Sequence, residues 1–299
     1  MTYSIVARDA DTGELGVAVQ TCMFAVGTVV PWARPGIGAV ATQAIGEPAY
    51  GWRCLDALAS GMTAADALGT ARASDPGAPL RQVGVIDATG SADAFTGELC
   101  IDHAGHHVGD GYAVQANMMA SDGVWPAMAE AFEHARGELA DRLLAALFAA
   151  EEEGGDARGR MSAALLVVDA EPNTEIHARP KVDLRVDDHP RPLDELRRLA
   201  RTAAAFRGFA AASDALFGGR AEEALREIDA ALVILPDDEN LRFLRAGALV
   251  FCGRVDEAAS VSRQLVAGRA SWATIIRSFA TKGLLPVPAE VNIDSLLQG

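Results

Sequence analysis

The chain has 299 residues, half of them apolar, and 41 acidic against 26 basic side chains give a formal net charge of −15. An excess of acid without clustered Lys or Arg excludes nucleic acid and anionic membrane as partners, since both are held by basic patches. The length is enough for an ample core without disulfide staples and, at roughly 150 residues per domain, fits one large domain or two unequal ones.

Four cysteines, Cys22, Cys54, Cys100 and Cys252, lie far apart with no C-x-x-C spacing. They read as reduced thiols of a cytoplasmic protein rather than a zinc or redox motif. No basic, then apolar, secretory leader opens the chain, and no run of about 18 uninterrupted apolar residues spans a bilayer.

In chain order, SIVAR and LGVAVQT read as two strands joined by the turn DADTGE. GTVVPW is a third strand candidate, cut short by Pro31. GIGAVATQA reads as a buried strand with glycine where bulk cannot fit. LDALASGMTAADALGTARASD reads as helices stopped at Asp75-Pro76-Gly77. RQVGVIDATGSADAFTGELC gives two strands around the Asp87–Ser91 turn. HHVGDGYAVQANMMA gives another strand entering a loop. The stretch from Trp125 to Glu153 is a long helical region. After the polar loop GGDARGRM come the apolar strand SAALLVVDA and the extended segment IHARPKVDLRVDD. Strands are grouped rather than alternating with helices, which predicts a layered α+β sandwich instead of a doubly wound sheet. No G-x-G-x-x-G or P-loop follows a strand, so no nucleotide cofactor is expected, and no cofactor is assigned.

Past residue 188 the pattern turns helical, which divides the chain into 1–188 and 189–299. Within the second part GRAEEA at Gly219 and GRVDEA at Gly253 repeat 34 positions apart. That is the tetratricopeptide period, with Ala224 and Ala258 as the small residues that let paired helices approach. Fewer than three repeats do not make a free solenoid, so this region is expected to pack on the first domain or on a partner chain.

The chemistry begins at Thr2. Removal of Met1 would leave a threonine whose hydroxyl lies beside its own α-amine, a group with a reference pKa of about 8. Nucleophile and general base then share one residue. Many cytosolic chains begin Met-Thr, so the dipeptide alone is not specific. Several other polar residues suggest a pocket. Gln43, Glu47 and Tyr50 lie where a glycine-rich strand meets a turn. Arg81 reads either as a fork for a substrate carboxylate or as an edge ion pair. Asn117, ending a strand in QANMM, is the candidate oxyanion donor. Met118 and Met119 read as core or pocket wall. His106 belongs to the pocket set, and with His103 and His107 it leaves a weaker metal-centre reading open.

The segments TYSIVARDADTGELGVAVQT, FAVGTVVPWARPGIGAVATQA, EPAYG, DPGAPLRQVGVID, AGHHVGDGYAVQANMM, GGDARGRMSAALLVV and LRVDDHPRPLDEL resemble the bacterial family catalogued as domain of unknown function 1028. That family is grouped with the N-terminal-nucleophile (Ntn) hydrolase-like proteins. The resemblance implies a four-layer αββα Ntn-type sandwich over nearly all of residues 2–196, followed here by a small all-α, tetratricopeptide-like region. By comparison with threonine proteases it implies that Asp156 and Ser162 support the Thr2 amine. The alternative, an Asp156–Arg158 loop ion pair with Ser162 capping a strand, stays open. The chain departs from the proteasome pattern: its second strand ends in Gln20 and Thr21, and no lysine occurs before Lys181. Proteasome-like proteolysis is therefore disfavoured.

The leading expectation is an amide hydrolase acting on a small linear or cyclic amide through Thr2, with Asn117, Asp156 and Ser162 in the catalytic set. Gln43, Glu47, Tyr50, Arg81 and His106 would bind substrate. The rival is a non-catalytic ligand-binding or assembly scaffold. Either is expected to be a homo-oligomer, with the helical repeats available to a protein partner.

Overall fold

The computed structural model describes residues 2–172, 180–284 and 293–297. Residues 176–179 of the predicted extended segment, with His177, lie outside them. The chain divides into two compact units, Met1–Ala200 and Arg201–Gly299.

The first unit is α+β, built on two antiparallel sheets. β1 (Thr2–Arg8) and β2 (Leu15–Thr21) form the expected hairpin, in a register that pairs Thr2 with Thr21. Its turn is fixed by Asp9, whose Oδ1 accepts the Asp11 and Thr12 amides at 3.0 and 2.9 Å. Gly13 follows in the left-handed region, φ +75°. The rest of GTVVPW departs from expectation: Val26–Thr28 is a single 3-10 turn, and β3 (Pro31–Arg34) begins at the proline. β3 pairs only with β4 (Gly38–Ala44), so it is an edge strand, where the missing proline N–H breaks no ladder.

α1 (Ala49–Ala59) and α2 (Ala64–Ala73) precede β5 (Arg81–Asp87) and β6 (Ala92–Thr96). The single strand expected in HHVGDGYAVQAN is a hairpin, β7 (Gly105–Gly109) and β8 (Tyr112–Asn117), joined through Asp110-Gly111 with Gly111 at φ +74°. The long helical region is two helices, α3 (Val124–His134) and α4 (Leu139–Glu152), separated at Gly137, φ +105°. β9 (Ser162–Val168) and β10 (Val182–Val186) close the first sheet, in the order β10-β9-β2-β1-β8-β7; the second runs β3-β4-β5-β6.

Alternation along the strands divides the core. Val6, Val17 and Val19 point inward to meet Ala39, Ala41 and Ile86 of the second sheet. Their neighbours Ile5, Ala18 and Val114 point outward onto Met128, Leu143 and Leu147 of α3 and α4. On the far side Val40, Val83 and Val85 pack on Tyr50, Leu55 and Leu68 of α1 and α2.

α5 (Pro192–Phe217) runs through the unit boundary. Leu193 and Leu196 belong to the first unit's core, Ala205 and Ala212 to the second's. The second unit continues with α6 (Ala221–Ile234), α7 (Glu239–Phe251), α8 (Val255–Gly268) and α9 (Ser271–Thr281), with α10 (Ile293–Leu297) last. The two GR segments share one geometry. Gly219 and Gly253 lie at φ +75° and +72°, and Arg220 and Arg254 each donate N–H to a carbonyl five residues back, at 2.8 and 2.9 Å. Ala224 and Ala258 are fully buried. Among the described residues no helix is long and apolar enough to cross a membrane.

Gly51 on α1 lies against the Trp32 ring; a Cβ there would stand 2.2 Å from it. A helical Gly→Ala change normally stabilises by about 1 kcal/mol. Gly51→Ala is expected to do the opposite, costing roughly 1–3 kcal/mol in urea unfolding, because the indole must move.

Candidate functional site

At one end of the sandwich the inward-facing side chains change from apolar to polar. The registers place Asn117, Thr2, Thr21 and Ser162 in one row across β8, β1, β2 and β9. Cross-strand partners share a face, so all four point between the sheets. One row deeper stand Gln115 and Ser4. Opposite them, on β4 and β5, Gln43 pairs with Gln82. All eight are at most 5% exposed.

Buried amides need partners, and here all but one of the atoms find them; the exception is Gln115 Oε1. Gln82 is the hub. Its Oε1 accepts from Gln43 Nε2 and from Asn117 Nδ2, both at 2.8 Å. Its Nε2 donates to Thr96 Oγ1 at 2.9 Å and to the Ala116 carbonyl at 2.8 Å. Gln43 Nε2 and Asn117 Nδ2 both also reach the Thr2 carbonyl, at 3.0 and 3.3 Å. Ser4 Oγ donates to Gln43 Oε1 and accepts from Gln115 Nε2, each at 2.6 Å. Gly84 makes room: a Cβ there would fall 2.3 Å from Gln115 Oε1.

The Thr2 hydroxyl lies 3.2 Å from that of Thr21 and lines a cavity of 320 Å³. Val26, Val29, Val30, Phe24 and Pro48 form its apolar wall, and Thr21, Thr42 and Gln43 join Thr2 as its polar part. A second cavity of 280 Å³ shares Met23 and Ala44 with the first and contains Asn117, Met118 and Arg158. Among the described residues four non-glycine positions have positive φ: Ala25, Ala44, His103 and Met118. Ala44 and Met118 line the cavities, Ala25 lies between two lining residues, and His103 follows the lining residue Ile101 by two. Strained backbone gathered in this way marks functional sites.

The predicted catalytic residues are only partly brought together. Thr2 and Asn117 are neighbours. Asp156 is buried, but its carboxylate accepts the Cys22 and Arg158 amides at 3.3 and 2.9 Å and pairs with the Arg158 guanidinium at 3.4 Å. Ser162 Oγ donates to the Met23 carbonyl at 2.5 Å and accepts from the Val26 amide at 3.0 Å. Among the described residues, both hold the 22–26 segment and neither bonds to Thr2.

Of the predicted binding residues, Gln43 reaches the Thr2 cavity and the other four lie elsewhere. Asp75 gathers two of them, accepting from Arg81 Nε at 2.9 Å and Tyr50 OH at 3.2 Å. That is the ion-pair alternative for Arg81. The Arg81 hydrogen bond draws the Asp75 carboxyl below its usual range, while burial first, and the Asp75 charge second, push Tyr50 up to about 12. Glu47 accepts the Ala49 amide at 3.1 Å in the first turn of α1. His106 is exposed on β7, where its Nδ1 meets Thr96 Oγ1 at 2.8 Å; partial desolvation by its neighbours lowers its pKa. His103 instead pairs with Asp122 at 3.1 Å. Sequence reasoning missed Ser4, and it noted Gln82 and Thr21 only at the ends of their strands, without giving either a role in the site. A hairpin register would have found Thr21, because it alone fixes which residue of β2 faces Thr2.

The sequence matches, over residues 2–196, the family of unknown function DUF1028. The chain belongs to this family. All of the polar row and its network fall inside the DUF1028 match. A solved structure similar to it is the crystal structure of protein SPO2555 from Silicibacter pomeroyi, also labelled DUF1028. The two are 35% identical with a TM-score of 0.62, over 68% of this chain and 86% of that one. No curated protein matches.

Two outcomes follow from this DUF1028 site. Gln82→Leu strands the donors of Gln43 and Asn117 at a buried position, and should cost about 3 kcal/mol or more in denaturant unfolding. Asp75→Asn should cost roughly 1–3 kcal/mol at neutral pH. Because the folded Asp75 pKa is lowered, its contribution is present above the unfolded value, about 4, and is lost as pH falls through the folded value. Stability measured against pH should therefore fall less steeply below about pH 4 in the variant than in the parent.

Proposed function

We propose that the chain is an Ntn-type hydrolase that cleaves the carbon–nitrogen bond of a small amide, with Thr2 as nucleophile once Met1 is removed. The observation that carries this reading is the position of Thr2: first residue of a central strand, side chain inward, on the wall of a cavity whose remaining polar groups are neutral. The order helices, sheet, sheet, helices in the first unit supports an αββα Ntn-like sandwich. The paired glycine turns 34 residues apart support a tetratricopeptide-like second unit. Cavities near the lower end of the ~300–1,000 Å³ expected for ligand pockets suit a small substrate better than a polypeptide.

In this mechanism the Thr2 amine takes the hydroxyl proton and Thr2 Oγ bonds to the amide carbon. The carbon–nitrogen bond breaks, the amine delivers the proton to the departing nitrogen, and an ester to Thr2 remains. Water, deprotonated by the same amine, adds to the ester; the carboxylic acid leaves and Oγ regains its proton. Gln43 and Asn117, both donating to the Thr2 carbonyl, fix the residue against the recoil of attack. That geometry favours a positioning role for Asn117 over oxyanion binding, and a loop-anchoring role for Asp156 and Ser162 over direct support of the amine.

The absent lysine favours the rival reading, a binding domain without turnover. One experiment separates them. Intact-mass analysis should show a chain lacking Met1, and a panel of small linear and cyclic amides should include a substrate. Thr2→Ala should then lower kcat by at least about a hundredfold, while Thr2→Ser retains measurable turnover. Full activity in a chain that retains Met1, or in Thr2→Ala, would sink the threonine mechanism.

A further inference from the structure

Met23, Phe24 and Val29 are 56%, 69% and 45% exposed, and all three line the Thr2 cavity. Large apolar side chains gathered bare around a hollow, rather than scattered singly, mark a place where apolar matter binds. Val26 and Val30, both buried, carry the same character inward. No Asp, Glu, Lys, Arg or His lines this cavity. Its side-chain donors are already engaged. Gln43 Nε2 donates to the Thr2 and Gln115 carbonyls at 3.0 and 3.2 Å and to Gln82 Oε1 at 2.8 Å. The Thr42 hydroxyl donates to the Glu47 carbonyl at 3.1 Å, and that of Thr2 to Thr21 Oγ1 at 3.2 Å. An anionic group entering the cavity would shed its hydration and find these donors spent. An alkyl chain needs no donor and gains by leaving water.

We propose that the substrates are fatty-acyl amides, whose acid half is an unbranched aliphatic chain. The acyl half is the one that stays bonded to Thr2 Oγ after the amine departs, so it belongs in the cavity that Thr2 itself lines. Its first carbons would lie against buried Val26 and Val30, and its tail would cross Met23, Phe24 and Val29 at the mouth. A second copy of the chain is the other apolar matter that could cover this rim. The rim belongs to the same cavity as the nucleophile, which favours the substrate. The inference rests on the hydrolase reading and adds its acyl specificity. The products are a fatty acid and a free amine, formed with the bond changes already described.

The test uses the full chain and a set of anilides, those of acetic, butyric, hexanoic and octanoic acid and the monoanilide of adipic acid, which is the hexanoic chain ended by a carboxylate. kcat/KM should rise about threefold per added methylene, as burial of each in an apolar site allows. The hexanoic compound should exceed the adipic one by about tenfold or more. Phe24→Ser should lower the octanoic-to-acetic ratio by about fivefold or more. Val29→Lys, which sets a cation at the mouth, should raise the adipic-to-hexanoic ratio by about threefold or more. Each ratio is internal to one protein, so a general loss of folding or activity does not imitate the effect. Thr2-dependent cleavage with no gain from chain length, a preference for the adipic compound in the parent, or either ratio unchanged in its variant would overturn the inference and leave the hydrolase reading standing. So would sedimentation showing a dimer that Phe24→Ser dissociates with the chain-length ratio unchanged, which gives the rim to a second copy. Thr2-dependent cleavage confined to amides outside this set overturns the inference alone; no Thr2-dependent cleavage of any amide overturns both.

Discussion

The constraint that shapes this molecule is the separation of its two sheets at the end where apolar packing stops. Valines and alanines hold the sheets together along most of their length. At the open end the same gap is filled by Gln43, Gln82, Gln115 and Asn117, which bond to one another and to backbone carbonyls. Apolar contacts tolerate sliding by fractions of an ångström; a set of directional amide hydrogen bonds does not. The network therefore fixes the second sheet against the first. By gripping the Thr2 carbonyl from both sheets it also fixes Thr2.

This explains which parts were legible in the sequence. Strands such as LGVAVQT and SAALLVV announce themselves by apolar content, and their grouping predicts an α+β architecture. Pro31 predicts the end of a strand, yet β3 is an edge strand that begins at the proline, and pairing order is a tertiary fact. The Asp110-Gly111 turn was visible as letters, but HHVGD carries too little hydrophobic alternation to stand as a strand. Its backbone pairs with β8 while its side chains are mostly exposed.

The site was legible only where position along one strand was enough. Thr2 and Asn117 sit at strand ends and Gln43 one residue from one, and each lines a cavity. Arg81 and Tyr50 also sit at element starts, yet both turn to Asp75, a residue singled out only as a helix stop. The sequence does not reveal that a nearer carboxylate claims them. Asp156 and Ser162 precede the right strand, but the register carries Ser162 beyond Thr21. A side chain two strands away from Thr2 is better placed to hold the facing loop than to serve the amine.

The same anchors account for the backbone strain around the cavities. Ala44 follows Gln43 directly, and Met118 follows Asn117 directly. The network pins Gln43, the penultimate residue of β4, and Asn117, the last of β8, and in each case the next residue turns left-handed. Ala25 is held comparably, between the Met23 carbonyl and Val26 amide that Ser162 binds. A left-handed alanine costs on the order of 1 kcal/mol, and such a conformation persists only where neighbours over-determine it. Here the over-determining groups are buried amides and a buried hydroxyl. They spread the chain at three points around Thr2, so that the closely packed end of a sandwich opens into cavities. The polar network is thus both the lock that holds Thr2 and the device that makes room in front of it.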